Sequence, residues 1–390
     1  MFICHKTKHK THTSMKKIFV FTAFASLLFG FQACNKVVDI VQSTPKLPEV
    51  PYEYLSINRF GSTQNLSQLI KDESAKTINN HSVALGRVLF YDKNLSINNH
   101  ISCGSCHIQQ LAFSDGVALS NGFRNKKTTR NSMGLLNAVL NNNMFWDSRA
   151  GSPLELSLMP VFDHLEMGME SHEMLVNKLE KVDYYPALFE KAFGTKDISS
   201  DKIALALTHF IHSIFSENSK FDQRMKNPAM KFTELEQLGS DLFFSPRLKC
   251  GECHNGPNFS APDFPGGPYG ARFDGNTSQD RKGTANIGLD RVYADKGRKN
   301  GHFKIPSLRN IELTAPYMHD GRFATLEQVI DHYDRGIQAH PELDDKLKEN
   351  GKPIRMHMNE IEKKALLAFL KTLTDKELIR DPRFSDPFVH

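Results

Sequence analysis

Beyond its first 33 residues the sequence has no surplus of either charge, no spare cysteine, a single tryptophan and no alternating pattern that would make a strand of any length. The first 33 residues hold five lysines and no Asp, Glu or Arg, and the remainder carries 44 basic against 44 acidic residues. A chain so balanced lacks the basic footprint that nucleic acid requires, which excludes that class of partner. The chain has six cysteines, and none is left over for a structural disulfide. Without strands, the expected fold is mostly α, with long loops rich in Gly, Pro, Asn and Asp, above all Ser260 to Gly301. At 390 residues the chain is long enough for two or three modest domains with real cores.

What is present begins with a targeting segment. Met15-Lys16-Lys17 supplies a positive start and is a better initiator than Met1, which makes residues 1–14 an extension. Ile18 to Phe31 is almost wholly apolar but short for a membrane span, so residues 1–33 read as a signal peptide. The run closes in Phe31-Gln32-Ala33-Cys34-Asn35, which resembles the lipobox of bacterial lipoproteins. The expectation is an exported protein of the periplasm or cell envelope, held at a membrane by a lipid on Cys34. Residues 34–80, rich in Pro, Ser, Asn and Gln, then read as a tether.

The four cysteines beyond the doubtful Cys4 and Cys34 fall in two pentads, Cys103-Gly104-Ser105-Cys106-His107 and Cys250-Gly251-Glu252-Cys253-His254. Two thiols one helical turn apart can reach the two vinyl groups of a haem, and the adjacent imidazole is delivered to the iron. A lone Cys-x-x-Cys also suits half a zinc site or a redox pair. Here His follows each pair directly, the pattern occurs twice, and export places the chain where haem is attached. Two covalent haems c are therefore expected. An internal repeat supports two related halves: Leu85-Gly86 in "LGRVLFY" precedes the first pentad and Leu238-Gly239 in "LGSDLFF" the second. Thr233-Glu234-Leu235-Glu236 reads as a capping box opening the second of these helices. Asp201 to Phe215 and Asn359 to Leu373 show further helical periodicity, and His209 and His212 on the former read as ordinary core-edge or surface residues. Two cytochrome c-like haem domains follow, 81–228 and 229–390.

The pentads, "LGRVLFYDKNLSINNHISCGSCH", "FWDSRA", "LEMGM" and "IPSLRNIELTAPYMHDGRFATLEQVIDHYDRG" together resemble the bacterial di-haem cytochrome c peroxidases and their MauG branch, in order from about Val83 to Thr374. The resemblance implies that His107 is the proximal ligand of a peroxidatic haem and His254 that of an electron-transfer haem. It makes Trp146 the indole between them and Glu166 the distal acid that moves a proton on bound peroxide. It implies one calcium ion, held by Asn131 and the backbone oxygens of Thr314 and Pro316. It also implies hydrogen peroxide as substrate, a small periplasmic cytochrome or cupredoxin as electron donor, and often a homodimer.

The chain departs from the family pattern in three places. Where many members carry a histidine that caps the peroxidatic haem, the matching stretch "SNGFRNKKTTRNS" offers Phe123, so that iron is expected to be open; His100 and His164 are the rivals for its sixth site. Where peroxidases place a Met ligand on the second haem stands Tyr333, the arrangement of the MauG branch, with Met318 as rival. Leu156 replaces a distal Gln. His319 is read as a hydrogen-bonding residue of its loop and not as a ligand. Two activities stay open, a peroxidase and a MauG-like oxidase that withdraws electrons from a protein substrate through Trp146, beside a third and weaker reading as a di-haem electron carrier.

Overall fold

The computed structural model describes residues 43–59, 62–141, 143–260 and 283–388. Met15, the signal peptide and Cys34 lie outside the described residues, as does the larger part of the Ser260–Gly301 loop.

Helix α1 (Asn80–Tyr91) begins at a capping box, in which the Asn79 side chain accepts from the Ser82 N–H and the Ser82 hydroxyl accepts from the Asn79 N–H. Its Val83, Val88, Leu89 and Phe90 are buried in one core with Ile203, Leu207 and Phe210 of α2 (Ser200–Ser213). At Gly86 the two helices touch: a Cβ there would lie 1.9 Å from the carbonyl oxygen of Ala206. The second half repeats the device. Helix α3 (Glu234–Phe243) opens on the Thr233/Glu236 box and packs on α4 (Glu360–Lys371), and a Cβ on Gly239 would lie 1.9 Å from the Ala365 carbonyl oxygen. The repeated Leu-Gly pair thus marks the closest approach of a helix pair in each half. The rings that flank the crossings also correspond, with Phe90–Phe210 centroids 5.0 Å apart and Phe243–Phe369 centroids 5.1 Å apart.

The chain is helix-rich with few strands. Among the described residues there are three antiparallel pairs: Ser56–Arg59 with Ser62–Asn65, Thr284–Ala285 with Phe303–Lys304, and Lys348–Glu349 with Lys352–Pro353. At four residues or fewer, they are too short to show as a sequence period. Among the described residues no helix is long and apolar enough to cross a membrane.

Two expectations are corrected. The stretch read as a tether up to residue 80 is packed over its later part: Tyr54, Ile57, Leu66 and Ile70 are buried, the last three against Val139, Leu140 and Phe215. Its polar average hides a few apolar residues, each of which is used. His209 and His212 are not at the core edge but fully inside it. The His209 ring is satisfied, with Nδ1 on the Ser82 hydroxyl and Nε2 accepted by the Ser74 carbonyl, whereas neither ring nitrogen of His212 has a partner among the described residues.

Candidate functional site

Each pentad forms a single helical turn, Cys103–Cys106 and Cys250–Cys253, seated under its half's helix pair. Its glycine lies against an aromatic ring of the preceding helix end; a Cβ on Gly104 would be 2.4 Å from Tyr91 and one on Gly251 2.6 Å from Phe244. Each turn ends on its histidine, and the two imidazoles are held alike. His107 Nδ1 donates to the Phe113 carbonyl at 2.7 Å, and His254 Nδ1 to the Phe259 carbonyl at 3.0 Å. Tying Nδ1 to a carbonyl fixes the tautomer and leaves Nε2 to ligate. Burial lowers the pKa of both rings, which keeps them neutral and able to donate a lone pair. Burial pushes the Cys103 and Cys250 thiols up to about 12, unlike the thiolates a zinc site needs. Among the described residues no three His, Cys, Asp or Glu are grouped to hold a metal ion. Paired thiols on one turn and an anchored imidazole fit a covalently attached haem at each pentad.

Glu166 lies close enough to the first pentad that its charge raises the pKa of both Cys103 and Cys106. Burial pushes Glu166 itself up to about 7, with Asp163 adding to the rise and Arg149 opposing it. The Phe123 N–H donates to the Glu166 carbonyl at 2.7 Å, and Gly122 fits so closely under Leu165 that a Cβ would lie 1.8 Å from its carbonyl oxygen. The loop that lacks a histidine is thereby latched to the segment that carries Glu166. His164 is 79 % exposed beside the same opening. The ring of His100, also exposed, is hydrogen-bonded to the Asn98 carbonyl. Leu156 lies in the short Pro153–Leu156 turn.

The second site is a cavity whose wall includes Cys250, Cys253, His254, Tyr333 and Met318. Tyr333 sits in a stretch of π-helix, His332–Gly336, a wider turn often found at functional sites. His332 Nε2 anchors that turn on the Ile287 carbonyl at 3.0 Å. Burial holds the Tyr333 phenol well above its ordinary pKa, and the Cys253 and Cys250 thiols raise it further. Met318, at φ +74°, packs with Leu289, Tyr293, Phe303 and Trp146. Tyr333 and Met318 therefore share one cavity, and the thiols of the second pentad act on Tyr333. His319 is buried and stacked on Phe303 at 3.6 Å between centroids.

Trp146 has contacts on the side of each pentad. Its Nε1–H donates to the Asn131 carbonyl at 3.0 Å, and its ring lies on the wall of the second cavity. The next residue, Ser132, donates to the Cys106 carbonyl and lies 3.3 Å from His107 Nδ1. Asn131 N–H donates to the His319 carbonyl at 2.7 Å, so the backbone of this one residue meets both the indole and the loop before Tyr333. Arg130 locks the junction by bridging Asp147 and Asp295, each at 2.6 Å. Asn131, Thr314 and Pro316 are all among the residues that line this cavity. The Asn131 amide nitrogen donates to the Val117 and Ala118 carbonyls, which makes Oδ1 the atom suited to a hard cation. Lys304 went unnoticed in the sequence: it is a buried lysine on this wall, and its only signal is a cation between Phe303 and Ile305.

With this geometry in view, comparison with known proteins is informative. A family model described as di-haem cytochrome c peroxidase matches residues 80–229. The cytochrome c551 peroxidase of Nitrosomonas europaea is 32 % identical over 305 residues, covering 78 % of this chain and 82 % of that protein. The methylamine utilization protein MauG of Methylorubrum extorquens is 31 % identical over 300 residues, covering 77 % and 80 %. Among solved structures, a MauG-like protein associated with microbial copper homeostasis superposes with a TM-score of 0.68 at 34 % identity, covering 80 % of this chain and 94 % of that one.

Proposed function

Because the chain belongs to the di-haem cytochrome c peroxidase and MauG family of oxidoreductases, we propose that it reduces hydrogen peroxide to water at a haem on Cys103, Cys106 and His107. Cys250, Cys253 and His254 would hold a second haem, able to pass on electrons from a small periplasmic cytochrome or cupredoxin. The observation that carries this reading is Glu166, a half-buried carboxyl with a pKa of about 7 beside the first pentad. A haem held there would supply an iron able to bind and reduce peroxide. Glu166 takes the proton from one peroxide oxygen and returns it to the other, so that the O–O bond breaks as water leaves. Two electrons and two protons convert each peroxide into two waters. Phe123, which offers no ligating atom where many relatives carry a histidine, would leave that haem's sixth position open, so that no reductive activation would be needed. Trp146, bonded to Asn131 and one residue from Ser132, offers an oxidisable ring on the electron path. Asn131 with the carbonyls of Thr314 and Pro316 would hold a calcium ion, water completing the shell. We place the protein at the cell envelope, anchored through Cys34.

A second reading, a MauG-like oxidase of a protein partner, is favoured by Tyr333 near the second pentad. A tyrosinate ligand stabilises ferric iron and would make that haem a poor acceptor from ordinary donors. The spectrum of the ferric protein before and after one equivalent of peroxide tests both. Rapid turnover with reduced cytochrome c is expected for the peroxidase. A long-lived oxidised state that cytochrome c does not quench selects the second reading, and no response to peroxide leaves an electron carrier. Tyr333→Phe should alter the low-spin spectrum of the second haem; if Met318→Leu does so instead, Met318 is the ligand.

A further inference from the structure

We infer that Lys304 is the buried cation that receives a carboxylate of the haem held by Cys250 and Cys253, and that this pairing sets how readily that haem is reduced. The inference rests on the second pentad carrying haem, as proposed above.

Lys304 is 7 % exposed and lies on the wall of the cavity that contains Cys250, Cys253, His254 and Trp146. Its backbone is fixed on two sides. The N–H donates to the Trp146 carbonyl at 2.7 Å, and the Phe303–Lys304 strand pairs in register with Thr284–Ala285. These contacts hold the residue's backbone at the cavity wall. Among the described residues its ammonium makes no hydrogen bond and no ion pair. Burial alone lowers its pKa, to about 8, and no carboxylate among the described residues raises it again.

A lysine enclosed in this way is costly unless an anion meets it. The one acid on the same wall among the described residues does not fill that role. Asp344 acts on Tyr333 and not on Lys304, and its Oδ2 is itself buried without a hydrogen bond. Of the other cations on the wall, Lys249 is less buried and Arg309 is already paired with Asp222, so Lys304 is the buried one that no carboxylate among the described residues meets. A haem brings two carboxylates on one edge, and a lysine so placed would accept one of them. A fixed positive charge there favours the ferrous state, which carries one positive charge fewer.

The test is a spectroelectrochemical titration of both haems in the intact holoprotein, with the first haem as internal control. Lys304→Met is expected to shift the reduction equilibrium of the second haem about tenfold toward ferric, which is about 59 mV for one electron. The first haem should not move, and Lys304→Arg should keep the original potential. An unchanged second potential, or an equal shift of both haems, overturns the inference. If Lys304→Met does not assemble, a crystal structure of the unsubstituted holoprotein decides. Lys304 Nζ within about 3.2 Å of a haem carboxylate supports it, and Nζ on a protein carboxylate overturns it. Haem counting by intact mass separates the two failures: a chain without haem on Cys250 and Cys253 overturns the reading of the site, whereas two haems with an unmoved potential overturn only the role of Lys304.

Discussion

A carboxyl taken out of water loses more as an anion than as a neutral acid, and Glu166 is held where that loss brings its pKa to about 7. Peroxide arrives neutral, so Glu166 must start as the anion to accept its proton. The rate of the first step with peroxide should therefore rise with pH through about 7. Glu166→Gln should slow it about 10²–10⁴-fold and abolish the rise, as stopped-flow mixing across that range would show. Burial acts with the opposite sign on His209 and His212, whose pKa values both fall to about 4. Above pH 6.5 both are neutral whether folded or not, and stability is unaffected. Between about 6.5 and 4 the unfolded chain takes up protons that the folded chain refuses, so stability falls as pH falls, by on the order of 3 kcal/mol per histidine. His212, whose ring nitrogens bond nothing among the described residues, is the better target. His212→Leu should raise the melting temperature at pH 5 more than at pH 7. An equal change at both would show that His212 is not titrating in the unfolded chain alone.

At the scale of elements, Gly86 and Gly239 do the same work. The methyl of an alanine would lie 1.9 Å from a backbone oxygen of the facing helix, and backbone cannot give way as a flexible side-chain tip can. Gly86→Ala and Gly239→Ala should each destabilise by about 3 kcal/mol or more, read from thermal unfolding with each haem followed by its own spectrum. A Gly86→Ala protein melting at the original temperature would mean that α1 and α2 are not so close. These elements were legible in the sequence because the signals were local: the capping boxes, the repeated Leu-Gly pair and the helical spacing of Ile203, Leu207 and Phe210 all arise within a turn or two. The pentads were legible for the same reason. What escaped depends on distant partners. The histidines on α2 looked like edge residues because nothing near them in sequence reveals that Ser74 and Ser82 close over His209. Tyr54 to Ile70 looked like a tether because its packing surface, Val139, Leu140 and Phe215, comes from far along the chain. The charge of Lys304 argued for exposure, and only the fold shows that its strand faces a cavity.

At the scale of the molecule the two helix pairs are not independent. The second core gathers residues between Phe221 and Leu373, but the chain then returns to the first, where Leu378, Phe384 and Phe388 are buried. The return is also tied by hydrogen bonds. Gln109, two residues after His107, donates to the carbonyls of Leu378 and Asp381 at 2.9 and 2.8 Å, and the Tyr91 hydroxyl donates to the Phe384 carbonyl at 2.7 Å. Tyr91 is the ring that covers Gly104 in the first pentad, so the end of the chain braces the turn that would carry the peroxidatic haem. Deleting residues 376–390 should therefore weaken the half from which they are most distant in sequence. Losing two buried phenylalanines and a leucine costs on the order of 5 kcal/mol, and that loss should fall on the first core. Hydrogen exchange of the deleted protein should show α1 and α2 exchanging faster while α3 and α4 keep their protection. Equal acceleration in both pairs would mean that the halves unfold as one unit, and acceleration confined to α3 and α4 would place the brace in the wrong half.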